Sequence, residues 1–493
     1  MEFEPDEKSP SEVRRQANVT YNTVLSMRTE HNISQIKLAE YSGYSPALIS
    51  SWELKKRRPT MSQIDKLIAA VAHIVAVKDE LGIDIRKKRV RHAGKLKRNA
   101  PAQIQTKTDY DKLMKNIDFS PNDYALQLSE IHQYRPRLTE NAPKAVALFS
   151  GCGGLTLGFQ WAGFNVVGHV EIDDSANSIY KANFPDSVLL GKDVTCASDD
   201  DVKNWSEQFG RIDALIGGPP CQGFSLAGKR NPEDERNELF QHYIRIVGIV
   251  RPKVFVMENV RLMTSMKDKD GNLFIDRIIE GYGEIGYKIA IKAVNAQEYG
   301  APQFRERVFL VGTDMRMAMK MFVFPEPTNS DSFQASLFSN AYNPILSFRD
   351  AVSDLPILEN GEISSDPLHW AIVHPEHVID WLKDVPEGHS AHENEDPCLR
   401  PPSGFNTTYK RLIWDEPCST ISTNFNMISG CRNVHPSSTR SLTIREATRA
   451  QSFPDGFAFF GKWSDVRRAI GNAVPPLLAK AIADGVKGQL FNF

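Results

Sequence analysis

Residues 216–225 read IGGPPCQGFS: an apolar run ends in two glycines and two prolines, and a single cysteine, Cys221, stands at the tip. Glycine and proline together make a tight, stiff turn, so the thiol is held in one place. A lone cysteine is more often a small buried apolar residue, and its company must decide between the two readings. Farther along, RPKVFVMENV ends in Glu258-Asn259, and EYGAPQFRERVFLVG carries Gln303, Arg305 and Arg307 at alternate positions. On a strand that spacing puts all three side chains on one face. A thiol, a carboxyl and two guanidinium groups at one sheet edge can attack an electron-poor ring. Free cysteine has a pKa of about 8.5, and nearby guanidinium groups favour the nucleophilic thiolate.

These groups converge only if the chain builds a sheet that delivers them to a common rim. KAVALFSGCGGLTLGFQWAGFNVVGHVEID, from Lys144, reads strand, glycine-rich turn, helix, strand. Buried-strand candidates are 145–149, the stretch closing at Glu171, SVLLGKDVT closing at Asp193, 212–216, and RPKVFVMENV. Strands alternating with helices predict an α/β, Rossmann-like doubly wound sheet, with ligands at the carboxyl ends of its strands. Gly151, Gly153 and Gly154 let a ligand approach backbone at a helix N-terminus. Glu171 stands where such folds hold the hydroxyls of an adenosine ribose, and Asp193 where the adenine amino group can be met. Gly153 is followed three residues later by Thr156, so the turn is not G-x-G-x-x-G. It suits a nucleoside without pyrophosphate, such as S-adenosylmethionine, with NAD the alternative for this fragment alone. Cys152, inside the turn, reads as small and packed.

Across 493 residues, 59 Lys and Arg meet 61 Asp and Glu, so a nucleic-acid surface must be local. Six scattered cysteines show no Cys-x-x-Cys pair or zinc spacing, which excludes an evident metal site or disulfide scaffold and suits a reducing compartment. The acidic start, MEFEPDEKSP, does not read as a secretory signal, and no apolar run nears the ~18 residues of a membrane span. A soluble intracellular protein is expected.

Composition divides the chain further. Residues 1–85 hold a helical pattern in which Ser34 can cap one helix, Gly43 turn the chain and Ser45-Pro46 open the next. The run RKKRVRHAGKLKR, with eight Lys or Arg and no acid, begins a basic and polar linker over 86–140 that attracts phosphate. Residues 141–320 carry the sheet. Residues 321–438 are irregular and rich in proline and polar groups, and 439–493 return to regular pattern.

Six pieces in order, FSGCGGLTLGF, GGPPCQGFS, ENV, QFRER, LTIREATRAQSFPDGF and IGNAVPPLLA, closely resemble the cytosine-5 DNA methyltransferases. The resemblance covers about 144–313 and 440 to the end. It implies S-adenosylmethionine as cofactor, double-stranded DNA as partner and a target base flipped out of the duplex. It makes Cys221 the nucleophile that adds to carbon 6 of cytosine. Glu258 would hydrogen-bond ring nitrogen 3 and the amino group, and Arg307, supported by Arg305, would hold the base carbonyl. It assigns the cofactor Phe149, Gly151, Gly153, Gly154, Leu155, Glu171, Ile172, Asp193, Val194, Pro220, Leu239, Asn472 and Ala473. Gln222, Ser225 and Lys229 would meet DNA from a mobile loop. The irregular interval would be the target recognition domain, with Thr408, Tyr409, Lys410 and Arg411 as DNA contacts. AQSFPDG departs from the commoner LQGFPD without touching a catalytic group. One branch of the family modifies tRNA and carries Pro-Phe-Thr after Cys-Gln; Gly-Phe-Ser here favours the DNA enzymes.

The front sixty or so residues resemble the phage-repressor helix-turn-helix, through Leu38-Ala39, Gly43, Ile49-Ser50, Trp52-Glu53 and Pro59. Lys55 stands where that family usually has glycine, at about 1 kcal/mol in a left-handed cap. The resemblance puts Ser45, Ala47, Ser50 and Ser51 toward the major groove. Together the two resemblances imply a bacterial, cytoplasmic, nucleoid-associated modification enzyme with a cognate restriction endonuclease as genetic partner. They further imply repression of its own operon and a homodimer through the front domain.

Overall fold

The computed structural model describes residues 24–29, 31, 33, 35–44, 48–49, 52, 59–80, 101, 103–134, 140–220, 239–267, 271–317, 320–331 and 342–491. The chain divides into two compact units between Arg98 and Asn99. Among the described residues, no helix is long and apolar enough to cross a membrane, and no cluster of side chains could hold a metal ion.

The front unit is helical, with helices Gln35–Ser42 and Met61–Glu80 the longest described. Gly43 takes φ +72 where the chain turns after the first, a conformation that costs glycine little. Thr60 and Gln63 exchange side-chain and backbone hydrogen bonds at the start of the second, a reciprocal cap. Val24, Leu38, Ile49, Trp52, Ile64, Leu67 and Val71 close one apolar core. Ser45, Ala47, Ser50 and Ser51 lie outside the described residues.

The second unit is built on a seven-stranded sheet of order β3-β2-β1-β4-β5-β7-β6. The strands are β1 Lys144–Leu148, β2 Asn165–Val170, β3 Val188–Gly191, β4 Ala214–Gly217, β5 Val254–Val260, β6 Tyr287–Asn295 and β7 Glu306–Asp314. β1 to β5 run parallel, and β7 is antiparallel to both β5 and β6. Ala145, Val146, Ala147 and Leu148 are at most 2% exposed, because helices cover both faces of a parallel sheet. The strand order reverses between β1 and β4, the crevice where open α/β sheets place their ligands. The glycine-rich turn after β1 and the Pro-Pro loop after β4 flank it. Two expected boundaries move: β3 stops two residues short of Asp193, and β4 is shorter than 212–216.

A second apolar cluster joins segments far apart in sequence, among them Trp161, Phe348, Trp370, Ile421, Phe453, Phe457 and Ile470. Ile104, Tyr110, Tyr124 and Leu128 belong to it as well. This corrects the linker reading over residues 103–134; residues 86–100 lie outside the described ones. Helices Lys107–Met114 and Asp123–Gln133 pack into the sheet-bearing unit through Tyr110, Tyr124 and Leu128, while Leu113 and Leu126 stay exposed.

Three arginines in and before the helix Ile444–Ala450 are fully buried and paired. Arg440 meets Glu446 at 2.8 Å. Arg445 meets Asp366 at 2.5 Å and Asp455 at 3.1 Å, and Arg449 meets Asp354 at 2.5 Å and Asp455 at 2.7 Å. Burial pushes the Asp455 carboxyl up, but Arg445 and Arg449 together outweigh it and hold it below the ordinary range. At Glu446 burial is likewise outweighed, chiefly by Arg440.

Arg445→Met strands the Asp366 carboxylate, which is 1% exposed. It should cost about 3–5 kcal/mol, read as a lower urea midpoint; a loss below about 1 kcal/mol would show that the network does not carry the fold. Carboxyls lowered by folding stabilise fully above their unfolded values, about pH 4, and lose that contribution as pH falls through the folded ones. Stability should therefore drop steeply below about pH 4, with a shallower slope in Arg440→Met, where buried Glu446 loses the cation that holds its carboxyl low.

Candidate active site

The antiparallel turn of β7 is what brings an arginine to the catalytic rim. Val260 faces Arg307 and Glu258 faces Phe309 across β5 and β7, so Glu258 and Arg307 are diagonal neighbours on one face. Arg307 Nε lies 2.8 Å from Glu258 Oε1. Glu258 is 9% exposed. Burial pushes its carboxyl above the ordinary range, while Arg307 and then Arg305 pull it partly back.

The same strand end underpins the Pro-Pro loop. A Cβ on Gly218 would stand 2.7 Å from Glu258 Oε2, so a side chain there would push on the carboxylate that Arg307 holds. Asn259 Nδ2 donates to the Pro219 carbonyl at 3.1 Å. Neither Gly218 nor Asn259 was among the expected site residues. Their signals were present, in a glycine before Pro-Pro and an amide directly after the carboxyl. The described chain reaches half-buried Pro220 and resumes at half-buried Leu239. Cys221, Gln222, Ser225 and Lys229 lie outside the described residues.

Arg305 requires a correction. It precedes β7, is 1% exposed, and donates to the carbonyls of Ile421, Gly471 and Ala473 at 2.8–2.9 Å. Gln303 likewise turns to Ala450, Gln451 and Ile421. Strand periodicity does not extend before Glu306, so only Arg307 of the three pairs with Glu258. Arg305 braces the returning C-terminal segment against the sheet.

That segment stands against the glycine-rich turn. A Cβ on Gly154 would lie 2.3 Å from the Val474 carbonyl and 3.2 Å from Ala473 Cβ. Asn472 beside it is exposed and Ala473 is 8% exposed. Phe149 takes φ +53 as the chain leaves β1, and Leu155 is buried in the helix Gly154–Trp161. Glu171 accepts from the backbone N–H of Gly151 at 2.7 Å and of Asp173 at 2.8 Å, tying the ends of β1 and β2 together. Burial foremost raises its carboxyl above the ordinary range.

These residues fit S-adenosylmethionine. Ile172 is 65% exposed, an apolar surface for a flat purine beside a carboxylate for ribose hydroxyls. A Cβ on Gly151 would meet nothing within 4 Å, so the turn opens onto free space. The helix behind it has no side-chain cap at Gly153. Asp193, with Oδ1 accepting from the Thr195 backbone at 2.9 Å, remains half-buried beside buried Val194. Cys152 is 1% exposed with its thiol pushed up to about 12 by burial, a packing residue as expected.

The expected recognition contacts fare unevenly. Arg411 is 3% exposed and donates to the carbonyls of His435, Ser438 and Leu382; it is internal glue, out of reach of a phosphate. Tyr409 joins a small core with Leu382, Val385 and Ile428, and Thr408 is also buried. Lys410 alone of the four is half-exposed, while residues 402–407, with Phe405 at 79%, are exposed just before it. The motif-like TYKR pattern marks a local core, because polar side chains there satisfy buried carbonyls.

Comparison with known proteins agrees with this geometry. The family model of C-5 cytosine-specific DNA methylases matches residues 144–488, and a helix-turn-helix model matches 24–71. The Type II methyltransferase M1.HphI of Haemophilus parahaemolyticus is 38% identical over 345 residues, covering 69% of this chain and 86% of that protein. M.DdeI of Desulfomicrobium norvegicum is 33% identical over 386 residues, covering 70% and 89%. A solved prophage-encoded protein of E. coli, described as a DNA modification methyltransferase, superposes with a TM-score of 0.55 at 26% identity, covering 71% of this chain and all of that one. The chain belongs to the C-5 cytosine-specific DNA methylase family, an enzyme that methylates DNA cytosine at carbon 5 with S-adenosylmethionine.

Proposed function

We propose that this enzyme marks cytosine within one particular duplex sequence as the modification half of a restriction–modification system, with Cys221 as nucleophile. The carrying observation is the Glu258–Arg307 pair seated under Gly218-Pro219-Pro220, one residue before that cysteine. The Type II relatives support the biological setting, and a genetically linked restriction endonuclease is its counterpart. The setting is the cytoplasm of a bacterium.

The stacked base must first leave the duplex, at about a few kcal/mol. The Cys221 thiolate then adds to carbon 6, which makes carbon 5 electron-rich. Glu258, its carboxyl raised by burial, shares a proton with ring nitrogen 3 and so stabilises the charge displaced there. Arg307 fixes that carboxyl and stands ready for the base carbonyl. Bound S-adenosylmethionine supplies the electrophilic methyl group. Loss of the carbon-5 proton and departure of the thiolate restore the ring. Gln222, Ser225 and Lys229 contact the DNA from the loop, and Lys410 contacts it from the recognition region. The front unit binds an operator of its own operon through Ser45, Ala47, Ser50 and Ser51, pairing two copies on a symmetric site.

Incubation with cofactor and a randomised duplex library, followed by bisulfite sequencing, should show 5-methylcytosine in one context; none in any context would sink the proposal. Cys221→Ser should abolish turnover. Glu258→Gln should lower kcat by about 10²–10³-fold with cofactor affinity unchanged. Lys410→Ala should weaken duplex binding at low salt and leave the thermal midpoint alone, while Arg411→Met should do the reverse. Deleting residues 1–85 should erase the footprint on the operon's upstream DNA; a footprint that persists contradicts the repressor role.

A further inference from the structure

Residues 103–134 form a collar that precedes the part of the chain matched by the family model, yet grips two separate regions of the sheet-bearing unit. Toward the C-terminal catalytic segment, the Ile104 carbonyl accepts from Gly461 N–H at 2.8 Å. Tyr110 Oη donates to the Asp455 carbonyl at 2.6 Å, and Tyr124 Oη to the Arg449 carbonyl at 3.3 Å. Toward the opening of the recognition interval, Asp118 and Ser365 exchange two hydrogen bonds. Asn122 Nδ2 donates to the Asp350 carbonyl at 2.9 Å and to Ser353 Oγ at 3.3 Å.

One guanidinium gathers all three parts. Arg445 donates to Tyr110 Oη at 3.1 Å from the collar, to Asp366 at 2.5 Å from the recognition interval, and to Asp455 at 3.1 Å from the catalytic segment. Hydrogen bonds of this kind are directional, so they fix an angle as well as a distance. A greasy patch alone would hold the pieces together and let them slide.

We propose that this collar is a clasp that sets the angle between the recognition region and the catalytic sheet, with Tyr110, Asp118, Asn122 and Tyr124 as positioning residues for duplex engagement. Its kinetic consequence rests on the methylation reading above; its geometric consequence does not. A recognition region free to change its angle must be ordered before it and the sheet can grip one duplex together, so loosening it costs binding. Loosening the clasp should therefore be felt in the duplex substrate and not in the cofactor, whose turn lies on the sheet itself.

The test uses the full chain carrying Tyr110→Phe with Asn122→Ala, and Lys107→Ala as an outer-face control. Cys196 and Cys398 are exposed free thiols on the two sides, whereas Cys152, Cys418 and Cys431 are buried. Nitroxides on the exposed pair, in a Cys221→Ser background, report the separation of the two regions. The parent and the control should give one narrow distance, and the double variant a broadened or shifted one. With Cys221 intact, the double variant should raise KM for duplex about 5-fold or more, with kcat changed under about 2-fold and cofactor affinity unaltered. Unchanged distances and an unchanged duplex KM, even with a lower thermal midpoint, would overturn the clasp and leave mere packing. A parent that methylates no duplex defeats the methylation reading, while the label distances still decide the clasp.

Discussion

A carboxyl that is almost wholly buried at the rim of a sheet needs a cation fixed beside it, and the Glu258–Arg307 pair meets that need across two strands of opposite direction. A parallel strand in place of β7 would have delivered its first residues to the other end of the sheet. The reversal lets the start of β7 meet the end of β5, so that a positive and a negative group share one face. With the carboxylate placed, the loop above it is constrained in turn. A side chain at residue 218 would push on that carboxylate, and Asn259 holds the following proline carbonyl.

The other buried arginines do different work with the same chemistry. Arg305 and Arg411 spend their guanidinium groups largely on backbone carbonyls, stitching irregular chain where no strand or helix satisfies it. Arg445 and Arg449 take carboxylates from segments distant in sequence, and Arg440 takes Glu446 from the start of the helix that carries them. Desolvated ions are costly to leave alone, so such a network favours one arrangement of its segments over many. A lobe with little regular structure is held in shape this way.

Much of this was legible before any coordinates. Parallel strands leave near-continuous apolar runs, and β1, β2, β4 and β5 were read from theirs. The Pro-Pro loop, Glu258 and the glycine-rich turn fell at strand ends, and their place at the rim followed from the order of strands. What failed had a common cause. Alternate spacing and the family resemblance put Arg305 at the rim, and the resemblance puts Arg411 at DNA; sequence does not reveal which carbonyls lack partners. Residues 103–134 read as linker because their polarity is high. Their buried apolar side chains are few, and exposed Leu113 and Leu126 blur the helical stripe. The task of Asn259 is not legible in its motif, since its partner lies forty residues earlier in the chain.

The central claim is that this scaffold holds Cys221 where it bonds covalently to the ring of a flipped cytosine. A duplex of the recognised sequence bearing 5-fluorocytosine at the target tests it directly, because fluorine cannot leave carbon 5 as a proton does and the thiol stays attached. Incubation with S-adenosylmethionine, digestion and mass spectrometry should find the methylated base on the peptide containing Cys221 and on no other. An adduct elsewhere, or none from enzyme that methylates the unmodified duplex, would contradict the account.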